Sequence, residues 1–433
     1  MTSRTTRRDF LKTSTLASLS AFLAPRLSLA ADPTPDQKLR IAAIGTGGRA
    51  LDNINGCASQ NILALCDVDE RTLSKTAAKF PNAKTFTDFR VMLDKIHNDI
   101  DAVLVGTPDH THAPATMAAL RLGKHVYCEK PLTHSVYEAR AMAAAAAKAK
   151  VATQMGTQIH AENNYRRVVE LLHANAIGAV KRIHVWVGGG YHGGNRPTDT
   201  PPVPQGLNWD LWLGPAPHRP YHPAYHPFAW RGWWDFGGGT LADMACHHMD
   251  LSHWAFDLRL PTTIETEGPP PHPECPPKWL IVHYNYPPTA IRPAIHLTWY
   301  HGDKRPPLFA DGKLPNDWGA GSLFVGDKGM LLADYGRLLL LPEADFKDYQ
   351  RPEQSIPASI GHHNEWIKAC KSGSPTTCNF DYAAALTETV LLGNVAHRIG
   401  NKKIEWDPAG LKAANAPEAD PYIKREYRKG WSL

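Results

Sequence analysis

The chain has 433 residues, 43% of them hydrophobic and 21% charged. That is enough for two domains with full cores, and too ordinary a mix for a disordered chain. The formal net charge of +5 gathers at the start, where Arg4, Arg7, Arg8, Lys12 and Arg26 outweigh Asp9; the rest is close to neutral, which removes the electrostatic case for a nucleic-acid partner.

Residues 1–30 read as a targeting segment. A basic start leads into a moderately apolar stretch from Leu16 to Leu29, with the small residues Ser28 and Ala30 at its end. Thr6-Arg7-Arg8-Asp9-Phe10-Leu11-Lys12 resembles a twin-arginine export signal, so the mature protein is expected in the periplasm. Residues 31–36 form a polar linker, and no later segment is long and apolar enough to span a bilayer.

From Leu39 the chain alternates short apolar runs with longer amphipathic ones. Strand-like runs cover Leu39–Ile44, Ile62–Cys66, Ala102–Val105, His125–Cys128 and Val151–Met155, and helical stretches cover Glu70–Lys79, Ala113–Leu122 and Val136–Lys148. This alternation predicts a doubly wound parallel sheet over residues 37–157. The remainder, 158–433, changes character. After a helix over Asn164–Ala176 come strand-like runs at Arg182–Val187, Trp279–Tyr286 and Ile295–Tyr300, with no helices between them, which predicts a mainly antiparallel sheet. Residues 201–227 hold eight prolines and read as an ordered loop or flap. Helices return at His362–Ser372 and Tyr382–Ile399. The fold class is therefore α/β, a Rossmann domain followed by a domain with a large open sheet.

The first strand runs into Gly45-Thr46-Gly47-Gly48-Arg49-Ala50, and Asp67 ends the next strand 22 residues after Gly45. A glycine loop between strand and helix cradles a pyrophosphate, and an acid at that distance meets the adenosine ribose. Asp67 favours NAD over NADP, because its charge repels a 2′-phosphate; Arg49 weakens that preference. Downstream, Asp243 and His247 are four residues apart, which on a helix puts both on one face, with His248 about 100° further round. A carboxylate beside an imidazole is a way to build a general base, with the acid orienting the ring. Trp230, Trp233 and Trp234 offer aromatic faces for a sugar, or serve as core. Gln158 and Tyr165, just past the last Rossmann strand, are further candidates for substrate contact. The seven cysteines form no C-x-x-C pair, and His218, His222, His226, His247, His248 and His253 lack metal-ligand spacing, so no metal is expected. A Cys370–Cys378 bridge stays open.

These residues resemble the glucose-fructose oxidoreductase, inositol dehydrogenase and rhizopine catabolism (Gfo/Idh/MocA) family over essentially the whole mature chain. Thr107-Pro108-Asp109-His110-Thr111-His112 is similar to its loop along the cofactor, and Cys128-Glu129-Lys130-Pro131-Leu132 to its E-K-P motif. Trp230-Arg231, Gly237-Gly238-Gly239 and Asp243-x-x-x-His247-x-x-Asp250 follow the pattern of its second domain. The resemblance implies NAD in the cleft, bound by Gly45 to Arg49, Asp67, Thr107, Pro108, His112, Glu129 and Lys130. It implies Lys130, Asp243 and His247 as the catalytic set, with Trp230 and Arg231 near the substrate. It also implies a homo-dimer or homo-tetramer, and oxidation of a secondary hydroxyl of a sugar, glycoside or polyol. Export away from a maintained NAD pool favours a tightly held, internally recycled cofactor. A redox-neutral, NAD-dependent glycosidase is the second reading, and a non-catalytic sugar sensor the third.

Overall fold

The computed structural model describes residues 37–433; residues 1–36, where an export signal and linker are expected, lie outside the described residues. The first sheet has six parallel strands: β1 (Arg40–Ile44), β2 (Asn61–Cys66), β3 (Lys84–Phe86), β4 (Ala102–Val105), β5 (His125–Cys128) and β6 (Thr153–Met155), in the order β3-β2-β1-β4-β5-β6. Helices α1 (Arg49–Gly56), α2 (Glu70–Ala77), α3 (Phe89–Ile96), α4 (Asp109–Arg121) and α5 (Val136–Ala149) connect them. Strand order reverses between β1 and β4, and ligands of such folds bind at that switch point. Both the glycine loop after β1 and Thr107–Pro108 after β4 open there.

Strand β1 is apolar on both sides, as a strand covered on both faces must be. Ala42 and Ile44 join one cluster, with Val103, Val126 and Met142. Leu39, Ile41 and Ala43 join another, with Leu65, Leu104 and Tyr127. α5 begins with the Glu138 carboxylate accepting from the Ser135 N–H at 2.9 Å, and its alanine run leaves room for close helix packing.

The second half opens with α6 (Asn163–His173) and β7 (Arg182–Gly188). The proline-rich segment was expected to contain no helix, yet it folds one short turn, α7 (Trp209–Leu213), inside the proline-free gap between Pro204 and Pro215; the Asn208 side chain caps it through the Leu211 N–H at 3.0 Å. Helices α8 (Gly239–His248) and α9 (Asp250–Phe256) follow. Then come β8 (Thr263–Glu267), β9 (Leu280–Tyr286), β10 (Ile295–Gly302), β11 (Gly321–Val325), β12 (Met330–Ala333) and β13 (Leu338–Leu341). Helices α10 (His362–Ser372) and α11 (Phe380–Arg398), strands β14 (Ile404–Asp407) and β15 (Lys412–Ala413), and the short α12 (Asp420–Ile423) complete the chain. The nine-stranded sheet runs β13-β12-β11-β7-β10-β9-β8-β14-β15 and is antiparallel except where β7 meets β10. β9 alternates in burial along its whole length, with Leu280, Val282, Tyr284 and Tyr286 facing inward.

The packing of the first sheet does not stop at residue 157. Trp366, Ile367 and Cys370 of α10 complete the cluster around Ile41 and Tyr127, and α11 lies along α5. All seven cysteines are buried and free, Cys370 and Cys378 included. No described helix is long and apolar enough to cross a membrane.

Candidate active site

A cleft of about 790 Å³ runs along the switch point. Its floor is the glycine loop. Gly45 has φ +87°, and a Cβ there would come within 2.7 Å of the Gly106 carbonyl oxygen, so only glycine lets β1 and β4 approach so closely. Gly48 has φ +52°, and a Cβ there would meet nothing within 4 Å, so it leaves open space at the N-terminus of α1. A cradle of free space and helical N–H groups fits a pyrophosphate. Asp67 lines the same cleft, where its carboxylate accepts from the Thr46 N–H and hydroxyl at 2.9 Å and from the Asp69 N–H at 3.0 Å. Those bonds fix its oxygens where the ribose of a dinucleotide would lie. Arg49 is half-exposed and pairs with Asp52 and with Gln158.

Thr107, Pro108 and His112 form the wall beyond β4. The His112 ring lies 2.8 Å from both the Thr107 and the Pro131 carbonyls and so ties this wall to the lysine loop; burial pushes it down to about 4. Glu129 is buried and accepts from the Asn53 and Gln158 amides at 2.8 Å. Burial raises its pKa, against those bonds and the nearby Lys130 and Arg49.

The chemistry-bearing groups converge where α8 meets the loop after β5. Lys130 Nζ donates to the Asp243 Oδ1 and to the Asp243 carbonyl, both at 2.7 Å. Arg231 Nε donates to the same Oδ1 at 3.1 Å. Burial pushes the Asp243 carboxyl up, but the Lys130 ammonium and Arg231 guanidinium more than offset it and hold it at about 2. Burial pulls Lys130 down, and Asp243, Glu129 and Asp109 together carry it above the ordinary lysine value. This corrects one expected role. Asp243 does not orient the His247 ring, because two cations capture its carboxylate on the cleft side. His247 lines the cleft with its Nδ1 buried and unpartnered, and burial with the Lys130 charge pushes its pKa well below the usual value. His248 turns away, its Nε2 3.0 Å from the Tyr335 hydroxyl, under which it stacks.

Two other expectations are corrected. Gln158 does not line the cleft: residues 158–161 wind into a 3₁₀ turn, which points its amide at Glu129, Tyr127 and Arg49. Tyr165 is fully buried on α6, and its hydroxyl donates to the His247 carbonyl at 3.1 Å, so it supports α8 from behind. Trp230 and Arg231 do line the cleft, the guanidinium stacked 4.1 Å above the Trp230 ring and 4.9 Å from the exposed Phe228. Trp233 and Trp234 are core residues whose indoles donate to Ala224 and His272 carbonyls. The sequence-clustered histidines are dispersed: His226 faces Asp69, and His253 bonds the Leu258 carbonyl. Asp250 lies fully buried behind α8, paired with His160 at 2.9 Å and with the Tyr382 hydroxyl at 2.7 Å; Cys378 is close by.

Among the cleft residues that sequence reasoning missed are Asp109, Tyr191, Phe228 and Trp431. Asp109 sits inside a motif already singled out, immediately after Pro108. Burial pushes its carboxyl up to about 7, with Arg231 and Lys130 pulling down and Asp243 pushing up. Nothing in the local pattern marks the other three.

Residues 39–157 match a family model described as an oxidoreductase family, NAD-binding Rossmann fold, and residues 175–291 match its C-terminal alpha/beta domain. A glycosyl hydrolase family 109 protein of Solibacter usitatus is 32% identical over 152 residues, covering 31% of this chain and 35% of that protein. Inositol 2-dehydrogenase 4 of Saccharopolyspora erythraea is 29% identical over 154 residues, covering 34% and 45%. Each match thus spans less than half of the curated relative. The WlbA dehydrogenase from Bordetella pertussis, solved with NADH and UDP-GlcNAcA, superposes with a TM-score of 0.61 at 15% identity, over 86% of this chain and 99% of that one.

Proposed function

The chain belongs to the Gfo/Idh/MocA family of NAD-binding oxidoreductases, and we propose that it oxidises a secondary hydroxyl of a sugar, glycoside or polyol with a cofactor that it keeps and recycles. One observation carries this reading: the glycine loop, Asp67, Lys130, Asp243, His247 and Arg231 all line a single cleft. NAD, when bound, supplies the hydride acceptor.

The chain's own groups supply positioning and proton transfer. Lys130, held by both acceptors of Asp243, presents a fixed ammonium that binds the substrate oxygen and stabilises alkoxide charge as it develops. His247, neutral at physiological pH, takes the hydroxyl proton. Arg231 shares the single Asp243 carboxylate with Lys130, so these three groups together keep one net positive charge beside the substrate oxygen. The Trp230, Phe228 and Tyr191 rings beside it offer apolar faces for the C–H side of a sugar.

The likeness to a glycosyl hydrolase family 109 protein supports a second reading, a redox-neutral glycosidase that oxidises transiently, eliminates the substituent, adds water and returns the hydride. The Arg7-Arg8 signal supports export to the periplasm, where a recycled cofactor suits either chemistry. The partner is a small carbohydrate, and the assembly a dimer or tetramer, which light scattering tests. For function, the desalted mature protein is given sugars with and without a second sugar as acceptor, and aryl glycosides alone. Keto-sugar formed only with acceptor supports the oxidoreductase, and released phenol supports the glycosidase. Bound NAD with neither product overturns both and leaves the sensor.

A further inference from the structure

The cleft continues past Asp67 into a slot lined by Val68, Thr72, Phe89, Leu211 and Trp431. A dinucleotide whose ribose meets the acid at the end of β2 places its adenine in this direction. Trp431 comes from residues 425–433, which also hold the charged Arg425, Glu426, Arg428 and Lys429. Its ring is 6.0 Å from Phe89 at 48°, has the Arg90 guanidinium 4.4 Å over one face, and passes 3.8 Å from where a Gly214 Cβ would stand. Arg90 and Phe89 thus hold an indole that is itself only partly covered, at the rim of a site for a flat aromatic base.

The segment that delivers it is heavily anchored. Arg425 pairs with the buried Glu138 at 2.7 Å and donates to the His110 carbonyl at 2.6 Å, and the Tyr427 hydroxyl reaches the same glutamate at 2.6 Å. Arg428 pairs with Asp210 and donates to the Asp210 and Gly214 carbonyls at 2.9 and 3.1 Å. Those last contacts lie on the proline-rich segment, which is itself stitched to the residues after Asp67: Glu70 N–H to the Gly206 carbonyl and Asn208 N–H to the Val68 carbonyl, both 2.8 Å. Two segments remote in sequence therefore brace each other over one end of the cleft.

We propose that residues 425–433 form a clamp that stacks Trp431 on the adenine of NAD and so retains the cofactor between turnovers; its purpose, though not its existence, rests on the recycling reading. Stacking of a base on an aromatic side chain is worth about tenfold or more in affinity. The test uses full-length protein loaded with radiolabelled NAD and chased with excess unlabelled NAD. Trp431→Ala is expected to release label at least tenfold faster than the parent, Trp431→Phe at close to the parental rate, and Arg428→Ala at an intermediate rate because the anchor is loosened while the ring remains. Should the alanine chain fail to fold, Trp431→Leu fills the space without a stacking face and is expected to release as fast. Release from Trp431→Ala or Trp431→Leu at the parental rate overturns the clamp. A parent that sheds its NAD on desalting defeats recycling instead, and the ratio of the two release rates still reads the clamp.

Discussion

Replacing Asp109 with asparagine should change how stability depends on pH more than it changes stability at any one pH. The side chain is 4% exposed and lies with Lys130, Asp243 and Arg231 in the cleft. Its carboxyl moves from the ordinary 3.8 to about 7 on folding, burial being the main cause. A tenfold change in proton affinity is about 1.4 kcal/mol, so the whole displacement amounts to roughly 4 kcal/mol. The native chain holds its proton where the unfolded chain has lost it. Stability from this group is therefore intact below about pH 4 and is lost as pH rises towards and through 7. Asparagine, neutral throughout, does not follow that slope. Between pH 5 and pH 8 the asparagine chain should gain about 2–3 kcal/mol relative to the parent. A chain of this length has an unfolding entropy near 0.9 kcal/mol per degree, so the difference in melting temperature should widen by about 3 °C. Calorimetry of both chains at pH 5, 6.5 and 8 reads it directly. A difference in melting temperature that stays constant across that range would refute the reasoning.

Other substitutions separate chemistry from support. His247→Ala should lower turnover by two orders of magnitude or more while bound NAD, assayed after acid release, stays at the parental level. Lys130→Met removes the one ammonium on Asp243 Oδ1 and should cost at least as much turnover; Asp243, left with Arg231 alone, should titrate higher than its present value of about 2, which NMR of a labelled carboxyl would show. Tyr165→Phe deletes only the bond to the His247 carbonyl, and should cost about 1 kcal/mol in urea unfolding with less than tenfold change in kcat. Trp366→Ala opens a cavity in the cluster behind β1 and should destabilise by about 3–5 kcal/mol, measured the same way.

What was legible in the sequence follows the range over which each interaction acts. Strand, glycine loop, helix and terminal acid lie within 30 residues, and their pattern reads directly as β1, α1 and β2. Helix α10 was expected over His362–Ser372, the span it occupies, because its apolar spacing is strong. Short edge elements such as β3, and strands β11 to β13, carry too few residues for a period to emerge. In the site, the helical spacing of Asp243 and His247 shows that both can share a face, and says nothing of Lys130, 113 positions away, and Arg231, 12 positions away, competing for the carboxylate. Gln158 and Tyr165 were placed near the cleft by position alone, yet a 3₁₀ turn and a buried helix face direct them elsewhere. Trp431 had no local mark, since its neighbours in space come from α3 and α7.

The cover of the first sheet has a consequence for how the chain is made. β6 is complete at Met155, but Trp366 and its helix, with the bond from His362 to the Met155 carbonyl, are 207 positions further on. At roughly 5–20 residues per second that gap lasts on the order of tens of seconds. Throughout it, Ile41, Leu65 and Leu104 are covered by Ile54 of α1 and Leu73 of α2 but lack Trp366, Ile367 and Cys370 of α10. That side of the first sheet is therefore fully covered only once α10 has been made.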